Sequence, residues 1–254
     1  MTEKQRISTR RKLPATLVKQ GRAMTQASYS LKLASKRVLG MFTAHIEANP
    51  DGGGIYVLTP RLYRDFFKCS QQKASLDVNT AIKELKDAKV IFKPEDERWQ
   101  ESEVPWLIRV DSNDKGKPTA EYNLHFNPHV LTEMREFSHG FTLYQLLECG
   151  NLLSSNQIRL YEDFCICCNS NPKSSNFWKV PLGYFERYQF GASMLKKRSE
   201  FIRRFLEPAV KQINENTSFH VTYTNDGDMF TFSILRKDLL TKANTDGEPV
   251  EPVE

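Results

Sequence analysis

The sequence predicts an α+β protein of two tandem domains related by an internal repeat. Three observations predict it. A chain of 254 residues is long enough to bury two ordinary hydrophobic cores. Its apolar spacing switches repeatedly between the helical and the strand period. IYVLTPRLYRDFFKCS (55–70) and WKVPLGYFERYQFGAS (178–193) share one order of strand, short aromatic helix, tight turn and next helix, and each is followed by a β-hairpin.

The elements follow in order. In SYSLKLASKRVLGMFTAHI (28–46), Leu31, Ala34, Val38, Phe42 and Ile46 recur at three and four residues and predict a helix with one buried face. NPDGGG (49–54) breaks it. The short strand IYVL leads into a helix from Pro60 through Phe67, proline being suited to a first helical turn. In the next helix Val78, Ala81, Ile82 and Leu85 share a face, with Lys83 and Lys86 turned away, and the apolar run KVIF (89–92) ends it. VPWLIRV (104–110) and AEYNLHF (120–126) read as strands joined by the turn-rich SNDKGKP, and a helix over 128–137 closes this half. The second half runs through a helix around IRLYEDFCICC (158–168), the loop NSNPKSSN, the strand FWKVPL (177–182), a short helix GYFERYQF (183–190) and a long helical run over 197–216. FHVTYT and MFTFSIL then form a hairpin, with Asp226 and Gly227 suited to a primed turn.

Helix, strand, helix, helix, hairpin is the winged-helix plan, in which the third helix enters a major groove and the hairpin lies along the backbone beside it. The expected layout is a basic flexible arm over 1–24, a first winged-helix domain over 25–137 and a linker over 138–142. A second winged-helix domain over 143–240 and an acidic disordered tail over 241–254 complete it. The alternative use of such a fold is protein contact alone.

Charge is uneven along this layout. Lys and Arg outnumber Asp and Glu by 36 to 31, and Lys4, Arg6, Arg10, Arg11 and Lys12 crowd the start against Glu3 alone. Beyond Lys242 the tail carries Asp246, Glu248, Glu251 and Glu254 among residues that cannot build a core. A basic arm on a nearly balanced body suits a polyanionic partner. No stretch approaches the roughly 20 apolar residues of a membrane span, and the N-terminus lacks a secretory core, so a cytoplasmic protein without membrane contact is expected. Of five cysteines, Cys165 and Cys168 form a C-x-x-C with no second pair or matching histidines nearby, which favours reduced packing thiols over a metal site.

Projecting 197–216 at about 100° per residue gathers Phe201, Ile202, Phe205, Leu206, Ala209, Val210 and Ile213 into one arc. Lys197, Glu200, Arg203, Arg204, Glu207 and Lys211 lie opposite. Arginine's planar fork can grip guanine O6 and N7 together, so Arg203 and Arg204 are the expected base readers. Glu200 either accepts from a cytosine amino group or pairs with Arg204 one turn on. Arg198 would fall on the apolar arc, which places the helix start near Ser199 and leaves Lys196, Lys197 and Arg198 as a basic approach to it. Thr222, Thr224 and Asn225 of the hairpin are candidate phosphate contacts. The first half offers Lys73, Lys83 and Lys86 without an arginine, which reads as phosphate anchoring.

These residues resemble the iteron-binding plasmid replication initiators. The likeness is carried by QASYSLKLASKRVL (26–39), IRLYEDFC (158–165), FERYQFGASMLKKRSEFIRRFLEPAVKQINENT (185–217) and the hairpin after it. The resemblance implies that the second domain binds directly repeated origin sites (iterons) in double-stranded DNA as a monomer and that the first adds contacts. It also implies dimerisation through the first domain's sheet, in equilibrium with the monomer, with the dimer repressing its own gene at an operator. Host partners would include the initiator DnaA and the replicative helicase, in a bacterial cytoplasm. By position, the family's base readers fall on Lys197, Arg203 and Arg204. Where a close member carries a third consecutive arginine this chain has Ile202, so the preferred DNA sequence need not be the same.

No enzyme constellation accompanies this reading. A G-x-x-x-x-G-K-[ST] loop, a nicking tyrosine with paired metal-binding histidines, and clustered carboxylates are all missing from the sequence, and no cofactor is expected. His125 and His129 are separated by the strand-to-helix break at Asn127 and Pro128. The runner-up is a winged-helix transcriptional repressor without a replication role.

Overall fold

The protein is seen in a computed structural model that describes residues 17–49, 54–93, 98, 100–115, 117–138, 140–169, 176–190 and 195–238. The acidic tail over 241–254 and residues 1–16 of the expected arm lie outside these. The rest of that arm is structured: Leu17–Gly21 forms strand β1 and Arg22–Gln26 the short helix α1. Helix α2 (Leu33–Ala48) begins five residues later than periodicity suggests. The reason is a backbone exchange in which Ser28 N donates to Ile91 O at 2.9 Å and Ile91 N to Ser28 O at 2.8 Å, holding the approach extended.

After β2 (Ile55–Leu58), helix α3 (Pro60–Phe67) starts where the Thr59 hydroxyl accepts from Leu62 N at 3.0 Å. It stops at Lys68, whose φ of 51° is left-handed. Helix α4 (Gln71–Asp87) is capped by Ser70, whose hydroxyl accepts from Lys73 N at 3.1 Å. Then come β3 (Lys89–Phe92), β4 (Ser102–Pro105), β5 (Leu107–Asn113), β6 (Glu121–Phe126) and α5 (Pro128–Arg135). The single strand expected over 104–110 is thus split. Trp106, fully buried with its ring edge-on to Tyr29 at 5.3 Å, turns the chain there. Strand β7 (Phe141–Gln145) and the one-turn helix α6 (Leu146–Cys149) follow.

The second half consists of α7 (Ser155–Asn169), β8 (Asn176–Pro181), a 3-10 turn (Leu182–Tyr188), α8 (Arg198–Phe201), a π-helical turn (Ile202–Leu206), α9 (Glu207–Asn216), β9 (Phe219–Asp226) and β10 (Met229–Arg236). Gly227 takes φ +55° in the two-residue turn Gly227-Asp228, one residue beyond the pair the sequence suggests.

The repeat is exact in sheet topology. The first sheet runs β2-β6-β5 and the second β8-β10-β9, so in both units the strand before the helix pair flanks the last strand of the hairpin. The first unit alone inserts the antiparallel pair β3-β4 between its third helix and its sheet. Each sheet buries one face. Phe230, Phe232 and Ile234 of β10 are fully enclosed, in line with Phe164, Phe185 and Phe201, and truncating any one of these rings to alanine would cost ~3–5 kcal/mol.

Among the described residues the join between the units is tied into structure. Strand β1 pairs antiparallel with β7, from Leu17 opposite Gln145 to Gly21 opposite Phe141, so two of the five residues expected as a linker over 138–142 are sheet. The two units also share a buried polar seam. Arg159 of α7, 1% exposed, donates to the carbonyls of Tyr29, Ala27 and Arg187 at 2.8, 2.7 and 2.8 Å, its guanidinium lying over the Tyr29 ring at 4.1 Å. Lys36 of α2 donates to Glu162 of α7 at 2.8 Å and to the Tyr29 hydroxyl at 2.7 Å, and the Tyr144 hydroxyl donates to Glu162 at 2.8 Å. Arg187 grips Asp163 and also reaches the Thr25 carbonyl at 2.7 Å. Burial works to lower the Lys36 ammonium's pKa, but Glu162 and Tyr29 outweigh it and hold it above the ordinary value.

Candidate nucleic-acid interface

The third helix of the second unit sets Lys197, Arg203, Arg204 and Lys211 outward, among Glu200, Glu207 and Glu215. Phe201, Phe205, Leu206, Ala209, Val210 and Ile213 point inward and Arg203, Arg204, Glu207 and Lys211 outward, as the periodicity predicts, with Ile202 half-buried. The run is not one regular helix. Glu207 N donates to Ile202 O, five residues back, which makes the turn between them π-helical. Pro208 is the physical cause, since it lacks an N–H and its ring would press on the Arg204 carbonyl in an unbroken α-helix. Compared with α4, whose inward residues are Ala74, Asp77, Val78, Ala81, Ile82 and Leu85, the second unit's helix holds one extra residue between its first two inward positions. That extra residue lets two arginines stand side by side outside.

Both arginines face one carboxylate. Arg203 donates to Glu200 at 3.0 and 3.2 Å, and Arg204 lies 3.6 Å from it, so of the two roles open to Glu200 the pairing is the one present. The hydrogen bond from Arg203, followed by the charges of both arginines, holds the Glu200 carboxyl below the usual range. At 70% and 56% exposure the guanidinium groups are only loosely committed, because such pairs in water are worth little and exchange readily for another anion.

Arg198 departs from its expected place before the helix. It is the first residue of α8, with Lys197 rather than Ser199 at the cap, and its guanidinium donates to the Gly227 carbonyl at the hairpin tip. That bond braces the helix start against the wing. Lys196 and Lys197 stay exposed beside it. Along β9, Thr222 and Thr224 project from the face opposite Val221, and Asn225 is exposed at the tip. Sequence reasoning passed over Lys179 of β8 and His220 of β9. Register puts Lys179, Thr231 and Thr224 in one cross-strand row, and alternation in FWKVPL was the signal that could have found Lys179.

In the first unit, Lys83 and Lys86 are exposed on α4, while Lys73 is tied to Asp77 at 2.7 Å. The buried Asp77 also accepts from the Tyr63 hydroxyl at 3.2 Å. The remaining candidates are accounted for by packing. His125 meets Asp111 at 3.0 Å, and His129 lies 3.9 Å from Glu133. Burial raises the Cys165 thiol and pushes Cys167 to about 12 and Cys168 to about 11. Among the described residues no group of three or more His, Cys, Asp and Glu could hold a metal ion, and no helix is long and apolar enough to cross a membrane.

Two units of one plan, each presenting its third helix beside a hairpin, define a tandem winged-helix protein. The models of the initiator replication protein family match both: that of its first winged-helix domain covers residues 17–165 and that of its second residues 186–237. The chain belongs to this family. The first match runs into α7, beyond the strand pair β1–β7. An uncharacterised 27.6 kDa protein of Escherichia coli is 32% identical over 233 residues, spanning 87% of this chain and 94% of that one. The crystal structure of the Pi initiator protein in complex with iteron DNA matches with a TM-score of 0.71 at 18% identity, covering 87% of this chain and 97% of that chain.

Proposed function

We propose that this chain initiates plasmid replication by binding directly repeated origin sites in double-stranded DNA as a monomer, with Arg203 and Arg204 reading bases. The observation that carries this is the exposed arginine pair on the third helix of the second unit, beside a wing braced by Arg198. Family membership supports the replication role, and the Pi initiator, which has the same fold, is solved on iteron DNA. Lys196 and Lys197 flank the readers. Thr222, Thr224 and Asn225 follow the backbone of the same site, and Lys73, Lys83 and Lys86 anchor phosphates farther along. Self-repression by a dimer, and contact with DnaA and the replicative helicase in a bacterial cytoplasm, belong to the same reading. So does the lack of covalent chemistry.

The experiment is a gel shift and footprint on the origin of the plasmid that carries the chain, with an Arg203→Ala/Arg204→Ala variant alongside. Protection of evenly spaced direct repeats, lost in the variant, is the expected result. Protection of an inverted operator alone identifies a repressor, and no protection overturns the reading.

A further inference from the structure

The first unit's third helix holds an unexplained side chain. Leu76 of α4 is 63% exposed, in the middle of a polar outward row that includes Gln72, Lys73, Asn79 and Lys83. A single exposed leucine is ordinary by itself. Its place in the repeat is not. The inward residues of the two third helices match in order, with Ala74 and Asp77 corresponding to Phe201 and Phe205, and from there Ile82 corresponds to Val210. Leu76, just before Asp77, therefore occupies the place held in the second unit by Arg204, just before Phe205. Lys83 likewise matches Lys211. The fold presents an apolar tooth where its twin presents a base-reading arginine.

The surroundings select the occupant. Asp77 takes the Lys73 ammonium on one side, Lys83 is exposed two turns along the row of Leu76 with Lys86 beside it and Asp87 at the helix end, and the Asn79 side-chain oxygen is held by the Tyr122 hydroxyl at 2.7 Å. Lysines on both sides of one exposed aliphatic group fit a polyanion that offers an apolar spot at its edge. The major groove has one such spot, the C5-methyl of thymine. We propose that Leu76 packs against a thymine methyl, so that the first unit selects sequence as well as anchoring phosphates. This rests on the DNA-binding reading above and replaces the purely anchoring role expected of this helix.

The test uses the full chain and a duplex that it selects from a random-sequence pool, resynthesised with each thymine in turn replaced by deoxyuridine, which lacks only the methyl. One substitution, outside the part footprinted by the second unit, should lower wild-type affinity about four-fold, the worth of one buried methyl group. Leu76→Ala should lose about the same factor on the thymine duplex and bind the two duplexes equally. Because Leu76 is exposed, the variant's melting temperature should match wild type, which separates lost contact from lost fold. If no methyl matters differently to wild type and Leu76→Ala while the duplex is still bound selectively, the Leu76 proposal is wrong and the DNA-binding reading stands. If the chain enriches no sequence at all, both fail.

Discussion

Replacing Glu162 with glutamine tests whether the two units are one mechanical body. The substitution keeps the side chain's shape but leaves one oxygen to accept where the carboxylate used two, one for the Tyr144 hydroxyl and one for Lys36, and among the described residues it removes the carboxylate bonded to the Lys36 ammonium. Lys36 is 5% exposed and Glu162 fully buried, so the charge left behind has no route to water. Breaking such a pair from one side costs ~3–5 kcal/mol. The ammonium can escape by losing its proton, and from a reference pKa near 10.4 that costs ~4.6 kcal/mol at neutral pH, so both routes give a similar loss. The escape becomes easier in base. At a pH of about 9 it costs ~2 kcal/mol, and the deficit of the variant should shrink accordingly.

Wild type behaves in the opposite sense. A Lys36 pKa raised on folding contributes stability that is fully present below the unfolded-state pKa and is lost as pH rises through the folded-state value, so wild type should be insensitive around neutrality and weaken only in strong base. Urea unfolding at the two pH values, with Lys36→Met/Glu162→Gln as a third chain, measures all of this. The double variant should recover most of the loss, because the unpaired lysine charge is gone. A deficit under ~1 kcal/mol that does not change with pH would refute the picture of a dry, coupled seam.

Three other outcomes are expected. Arg203→Ala and Arg204→Ala should each relax preference at one base position by ~1–3 kcal/mol, measured by competition among single-base variants of the site, while Lys83→Ala weakens all sequences alike. In a salt titration of affinity, Lys83→Ala or Lys86→Ala should reduce the slope by about one, and a slope unchanged in both would remove them from the phosphate contacts. Pro208→Ala restores the missing N–H and allows the π turn to close into a regular helix. Thermal stability should hold or rise while selective binding falls, and unchanged selectivity would show that the arginine spacing does not depend on that turn.

Much of the fold was legible in the sequence because burial writes itself into local spacing. The period of 28–46 marked α2, the arc from Phe201 to Ile213 marked the buried face of the second unit's third helix, and the alternation of 219–235 marked the hairpin. The same logic turned Arg203 and Arg204 outward. Pro208 lay in plain view inside a helical run, but the widened turn it produces shows only when the inward residues of the two helices are compared.

The sequence by itself determined most of the element order, the internal repeat and the face that carries the arginines, since each depends on residues near one another in the chain. Tertiary structure decided the rest. It paired β1 with β7 and bridged Ser28 to Ile91, turning residues 17–21 of the expected arm and 141–142 of the expected linker into sheet. It closed Arg159, Lys36 and Glu162 into a seam and spent Arg198 on bracing the wing. The physical reason is that a hydrogen bond or buried charge needs a partner supplied by distant chain, and no periodicity within a helix or strand names that partner.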